Sequence, residues 1–245
     1  MSVRITRATA VRVLRQLRRD RRTLALVLGV PSLLLVLFRY VFDGASETFD
    51  RVGGPMVGIF PLVSMFLVTS IAMLRERTTG TLERLMSMPL AKLDLLVGYG
   101  IAFALLATAQ ASIASAVAFG LLGLDVSGSI WLVLAFAVLN ALLGMSLGLF
   151  LSAFASTEFQ AVQFMPAVIL PQVLLCGLLV PRDRMAPLLD WVSWSLPMSY
   201  AYDGLSRATS GATGGGRVAL DMAVVAGTIV VALALGAATL RRRTI

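Results

Sequence analysis

The sequence predicts an all-α integral membrane protein with six transmembrane helices. Three observations carry this expectation. First, 58% of the 245 residues are hydrophobic, only 14% are charged, and the mean hydropathy is +0.88, a balance foreign to a water-soluble domain of this length. Second, apolar runs recur at the length of about 20 residues that a helix needs to cross a bilayer. Third, the arginines gather outside those runs.

The expected spans follow in order. The first runs from Leu24 to Phe42 and the second from Pro55 to Leu74. The third lies in the charge-free stretch between Asp94 and Asp125, and the fourth fits Ile130 to Phe154. The fifth falls between Phe159 and Val180, and the sixth runs from Met222 to Leu240, before Arg241, Arg242 and Arg243. Backbone groups in hydrocarbon must bond within their own segment, and no alternating pattern suggests a barrel, so each run is read as a helix. No small-residue cleavage site ends the first run, which is expected to remain in the mature protein.

Charge orients the spans. Placing the amino terminus inside puts fifteen of the 21 basic residues in cytoplasmic segments: Arg4, Arg7, Arg12, Arg15, Arg18, Arg19, Arg21 and Arg22, then Arg75, Arg77, Arg84 and Lys92, then the terminal three. Arg39, Arg51, Arg182, Arg184, Arg207 and Arg217 fall at or beyond the outer face. Both termini are therefore expected in the cytoplasm.

Before the first span, Ala10, Val13, Leu14 and Leu17 keep helical spacing while arginines occupy the other faces. Residues 1–22 read as an amphipathic helix resting on the inner leaflet. Between spans five and six, Pro181 to Asp221 carries Trp191, Trp194, Tyr200 and Tyr202. Rings of this kind favour headgroup depth, so short re-entrant or interfacial helices are expected there, followed by a flexible tail from Gly211 to Gly216.

Several chemistries are disfavoured. With no histidine, His-based general acid/base chemistry and the commonest metal ligand are missing, and no GxSxG elbow accompanies the serines, which weighs against an intramembrane enzyme. The single cysteine, Cys176, permits no intramolecular disulfide. The spans hold no midplane charge pair, which weighs against an ion-coupled carrier or channel, the main alternative. Arginines flanking membrane spans do not resemble a nucleic-acid surface. Gln110, Asn140 and Gln172 are expected to face another helix or a cavity. Gly144 and Gly148 form a GxxxG spacing read chiefly as packing within the protomer.

The most informative stretch is Arg75 to Asp94, RERTTGTLERLMSMPLAKLD, which is charged, short and cytoplasmic in this topology. Glu76-Arg77-x-x-Gly80-Thr81-Leu82-Glu83, with Pro89 after it, resembles the pattern following the second span of type 2 ABC exporter permeases. Glu158 to Pro166, Pro171-Gln172, Pro181-Arg182 and Leu196-Pro197-x-Ser199-Tyr200 are similar to the daunorubicin-resistance branch of that family.

The resemblance implies that residues 1–245 form one ABC-2 type transmembrane domain, the permease half of an exporter in the bacterial plasma membrane. It implies two copies of an ABC ATPase and a second permease, the same chain or a homologue. ATP and Mg would be bound by the ATPase, since no Walker A motif occurs here and this chain is expected to hold no cofactor. It further implies a coupling segment of Glu76, Arg77, Gly80, Thr81, Leu82, Glu83, Arg84 and Leu85, with Glu158, Gln160 and Gln163 as a second contact. Met65, Phe66, Phe164, Met165 and Gln172 would line a path for a lipophilic drug, antibiotic or lipid-like substrate.

Overall fold

The computed structural model describes residues 3–44, 46–81, 92–212, 214 and 216–239. Nine α-helices are found among them: α1 (Val3–Arg19), α2 (Arg21–Val41), α3 (Ser46–Thr78), α4 (Lys92–Ala116), α5 (Ile130–Leu151), α6 (Glu158–Leu175), α7 (Pro187–Ser193), α8 (Pro197–Ser210) and α9 (Arg217–Ala238). A π-helical turn, Val117–Leu121, extends α4, and a 3-10 turn, Arg182–Arg184, precedes α7. Six of these helices are long and apolar enough to cross a membrane: α2, α3, α4 with its π turn, α5, α6 and α9.

The spans expected from the sequence recur with changed boundaries. The second is the main departure. Instead of Pro55 to Leu74, α3 runs unbroken for 33 residues, about 50 Å at the rise of an α-helix, well beyond a hydrocarbon core. Its leading residues, SETFDRVGG, hide from a hydropathy reading because they mix charges with glycines. Close approach explains the glycines: a Cβ on Gly54 would lie 2.2 Å from Thr209 of α8, and one on Gly53 would lie 2.9 Å from Leu124. The fifth span is shorter than the run that predicts it. α6 stops at Leu175, 18 residues with Pro166 and Pro171 inside it.

The bundle is built on α3 against α5. Gly144 and Gly148 of α5 face α3, where added Cβ atoms would lie 2.1 Å from the Leu62 carbonyl oxygen and 2.5 Å from that of Phe66. The GxxxG spacing therefore serves packing within the protomer, where small residues let backbones approach. Thr69 reinforces this seam: its hydroxyl donates to Met65 O at 2.7 Å and also lies 3.2 Å from Met145 O across the interface. α4 and α9 pack on α5, whereas α2 and α6 are the least buried spans. Gln110 joins α4 to α2 by donating to Val27 O at 2.8 Å, as expected of an amide that must avoid lipid.

Two short helices follow α6, as the aromatic segment predicts. α7 is largely exposed, with Leu188 and Trp191 on its surface, but α8 enters the bundle. Leu205 and Ala208 of α8 pack with Val133 and Phe136 of α5, and Gly204 lies under the Phe136 ring. Gly211 ends α8 at a φ of 76°, a left-handed conformation that glycine adopts without Cβ strain.

α1 departs from the expected inner-leaflet anchor in one respect: its apolar face meets protein. Thr6, Thr9, Ala10 and Val13 are buried, and Thr9 sits where a Cβ on Gly98 of α4 would lie, 2.6 Å from its own Cβ. Leu14 and Leu17 are only partly buried against the same core. One residue, Asp20, separates α1 from α2 and caps α2: Thr23 N donates to its Oδ1 at 3.1 Å and the Thr23 hydroxyl to its Oδ2 at 2.6 Å. Those bonds hold the Asp20 carboxyl below the ordinary carboxylate range. α1, the end of α3, the starts of α4 and α6 and the end of α9 share one end of the bundle, here the basic end.

Candidate functional site

The basic end is organised by the last turn of α3. Its termination is local. Thr79 N and the Thr79 hydroxyl both donate to Arg75 O, at 2.9 and 2.7 Å, the Thr79 and Thr81 hydroxyls lie 3.0 Å apart, and Gly80 adopts a φ of 70°. The Thr79 hydroxyl thus gives the Arg75 carbonyl a second donor at the helix end, and glycine supplies the turn out of it.

Two consecutive residues of that turn reach different helices. Arg75 makes a two-pronged ion pair with Glu158, the first residue of α6: Nε donates to Oε1 at 2.7 Å and Nη2 to Oε2 at 3.0 Å. Both side chains are more than half exposed, so the pair contributes modestly to stability, and the fork geometry supplies direction. Glu76 turns inward. Its side chain is 7% exposed and its Oε1 lies 3.4 Å from Arg12 Nη1 of α1. Arg12 also donates through Nη2 to the Tyr99 hydroxyl of α4, with its guanidinium 5.4 Å from the Tyr99 ring centre. Residues 75 and 76 therefore tie the end of α3 to α6 on one side and to α1 and α4 on the other.

The start of α6 is itself built for a fixed position. Thr157 caps it by accepting from Gln160 N at 3.2 Å, and Gln160 Oε1 accepts from Ser156 N at 2.8 Å, a variant of the reciprocal capping box. A carboxylate at Glu158 is favourable at a helix amino terminus. Glu158, Gln160 and Gln163 are all exposed.

The structure thus brings Glu76, Arg77, Gly80 and Thr81 to the same end as Glu158, Gln160 and Gln163. Leu82, Glu83, Arg84 and Leu85 lie outside the described residues. Arg77 has a buried Nε with no hydrogen-bond partner among the described residues. The residues expected to line a path separate into two groups. Met65 and Phe66 are fully buried between α3 and its neighbours, inside the protomer, whereas Phe164 and Met165 of α6 are partly exposed. Gln172 is 7% exposed and its Nε2 donates to Val168 O at 3.0 Å within α6. Asn140 faces another helix as expected: it is fully buried, its Nδ2 lies 2.5 Å from a Cβ placed on Gly58 of α3, and both amide atoms are unpaired among the described residues.

A second charged assembly lies at the opposite end. Arg182 is paired with Asp203, Arg207 lies 3.6 Å from Asp203, and Arg207 is also paired with Asp221 of α9. Arg182 stacks on Trp194 at 4.4 Å, and the Tyr200 hydroxyl donates to Trp194 O at 2.9 Å. The only local signal for this network is the four-residue spacing of Asp203 and Arg207 on one helix. Arg39, also at that end, lies 3.9 Å from Asp43 and 5.3 Å from the Phe49 ring centre.

Comparison with known proteins gives the family. The ABC-2 type transporter family matches residues 5–208, most of the chain. The chain belongs to that family. Among curated relatives of this ABC-2 chain, the probable multidrug ABC transporter permease YbhR of Escherichia coli K12 is 28% identical over 148 residues, 60% of this chain and 40% of the relative. The inner membrane transport permease YhhJ of the same strain is 27% identical over 151 residues, again 60% of this chain and 40% of the relative. ABC transporter G family member 20 of Dictyostelium discoideum is 26% identical over 156 residues, 64% of this chain and 21% of the relative. The matched region spans less than half the length of each of these relatives.

Proposed function

We propose that this ABC-2 chain is the permease subunit of an ATP-driven exporter in a bacterial plasma membrane. In this reading the basic end faces the cytoplasm, both termini lie there, and two copies of an ABC ATPase dock on it. The charge asymmetry supports the orientation. The names of the bacterial relatives, permeases and in one case a multidrug permease, support the class.

The observation that carries the coupling role is the pair of ties at residues 75 and 76. A push on the segment after Gly80 acts on the end of α3, and the Arg75–Glu158 and Arg12–Glu76 contacts pass it to α6 and to α1 together. α6 is the least buried span beside α2, so it is free to move with that push or to meet a second permease. Phe164 and Met165 lie partly exposed on it, suited to a lipophilic drug or lipid-like substrate between two permeases. Met65 and Phe66 join such a path only if α3 and α5 separate.

The test is coupling in the assembled complex. Gly80→Val, Glu83→Ala and Glu158→Ala are expected to lower substrate-stimulated ATP hydrolysis at least about fivefold while insertion into the membrane stays normal. Stimulation that is unchanged in all three variants would remove the coupling assignment.

A further inference from the structure

We propose that the pocket between α1, α2, α3 and α4 at the basic end binds an amphiphile with a cationic head, such as an alkylammonium. The pocket has a volume of about 290 Å³. Its depth is apolar, formed by Val27 of α2, Val68 and Ala72 of α3, and Phe103 of α4, while Asp20 and Glu76 line its polar part. That volume sits at the small end of ligand pockets and suits one alkyl chain or a small ring system.

The head-group preference comes from Glu76. Its Oε2 is buried and has no hydrogen-bond partner among the described residues, while its Oε1 lies 3.4 Å from Arg12 and the Tyr99 hydroxyl is close enough to interact with the carboxylate. A buried carboxylate oxygen without a donor is unfavourable, and a ligand N–H would satisfy it. Asp20 adds a second carboxylate at the rim. Arg75, the cation that lines the pocket, already spends its fork on Glu158. A carboxylate or phosphate head would instead set like charges against Glu76 and Asp20.

Entry is open from two sides. Leu26, at the rim, is 62% exposed on the outer surface of a membrane-crossing helix, so an alkyl chain reaches the pocket from the bilayer. Gln16 and Asp20 at the other rim are exposed to water at the basic end. The site lies within one protomer and needs no second permease.

This inference rests on the export reading only for what the ligand is for, because binding is measured without transport. The experiment uses the full chain in lipid nanodiscs and two photoactivatable probes with the same decyl chain, one ending in ammonium and one in carboxylate. The ammonium probe is expected to label peptides containing Ala72 and Phe103 saturably and to be displaced by plain decylammonium but not by decanoate. Glu76→Gln should weaken its half-saturation about tenfold, and Ala72→Trp should abolish the saturable labelling. Equal labelling by both probes, or labelling that never saturates, would overturn the proposal. Those two readings use the native chain, so they decide the matter even where Ala72→Trp fails to fold. Failure here leaves the export reading standing, and a failed coupling test leaves this site standing.

Discussion

Gly144→Ala is expected to lower the stability of the bundle by about 3 kcal/mol, as read from denaturation in mixed micelles, with a matching fall in the yield of folded protein. The size of the effect follows from what the new methyl meets. It would sit 2.1 Å from the Leu62 carbonyl oxygen and 2.8 Å from the Leu62 carbonyl carbon, all backbone, so no side-chain rotation relieves it. α3 would have to move away from α5, and that seam also holds Gly148 against Phe66 and the Thr69 contact with Met145 O. Gly227→Ala supplies the control, because nothing lies within 4 Å of a Cβ there, and it should be neutral or slightly stabilising. Equal stability of the two variants would show that α3 and α5 are not in the contact described.

Asp203→Ala is expected to cost a similar amount, about 3 kcal/mol, for a different reason. Asp203 is the carboxylate between two guanidiniums, and its side chain and that of Arg182 are each 14% exposed. Removing it leaves Arg182 stacked on the Trp194 ring with no ion-pair partner among the described residues, while Arg207 keeps Asp221. An unpaired buried cation is more unfavourable than the pair or than neither partner. The double variant Arg182→Ala, Asp203→Ala should therefore be less destabilised than Asp203→Ala alone. Single and double variants whose costs simply add would show that the two side chains do not act as a pair. The network fixes α8 and α9 to the turn after α6.

The parts of this fold that are legible in the sequence are those encoded locally. Long apolar runs, interrupted by charge only at Arg39 in the first, mark all six spans, and the rings at Trp191, Trp194, Tyr200 and Tyr202 mark the short helices after the fifth. The extension of α3 was not legible, because SETFDRVGG is polar by composition and its close neighbours, Leu124 and Thr209, lie far along the chain. The GxxxG spacing announced a close approach but not its partner, which is a stretch of α3 with no glycine at the contact. α1 showed its apolar stripe plainly, yet whether lipid or protein covers such a stripe depends on where α4 begins.

The candidate site divides in the same way. The motif around Glu76 and Gly80 and the stretch at Glu158 were visible as separate segments, one after the second span and one before the fifth. Their joining by Arg75 was not, because a contact between residues 83 positions apart leaves no periodic trace in a single sequence. Arg12 was one of eight arginines before the first span, and only the fold distinguishes it, by placing Tyr99 and Glu76 beside it. The same reason hid the Arg182 to Asp221 network.

In the proposed function the basic end, at Gly80–Thr81 and at the start of α6, is the docking face for a separate ATPase. Site-directed crosslinking in the assembled complex tests it most directly. With Cys176 replaced by serine, the variants Thr81→Cys and Gln163→Cys at the basic end and Leu188→Cys at the opposite end are treated with a short bifunctional thiol–amine reagent. A permease–ATPase product is expected from Thr81→Cys and Gln163→Cys and none from Leu188→Cys. A product from Leu188→Cys with none from the basic end would contradict that docking face.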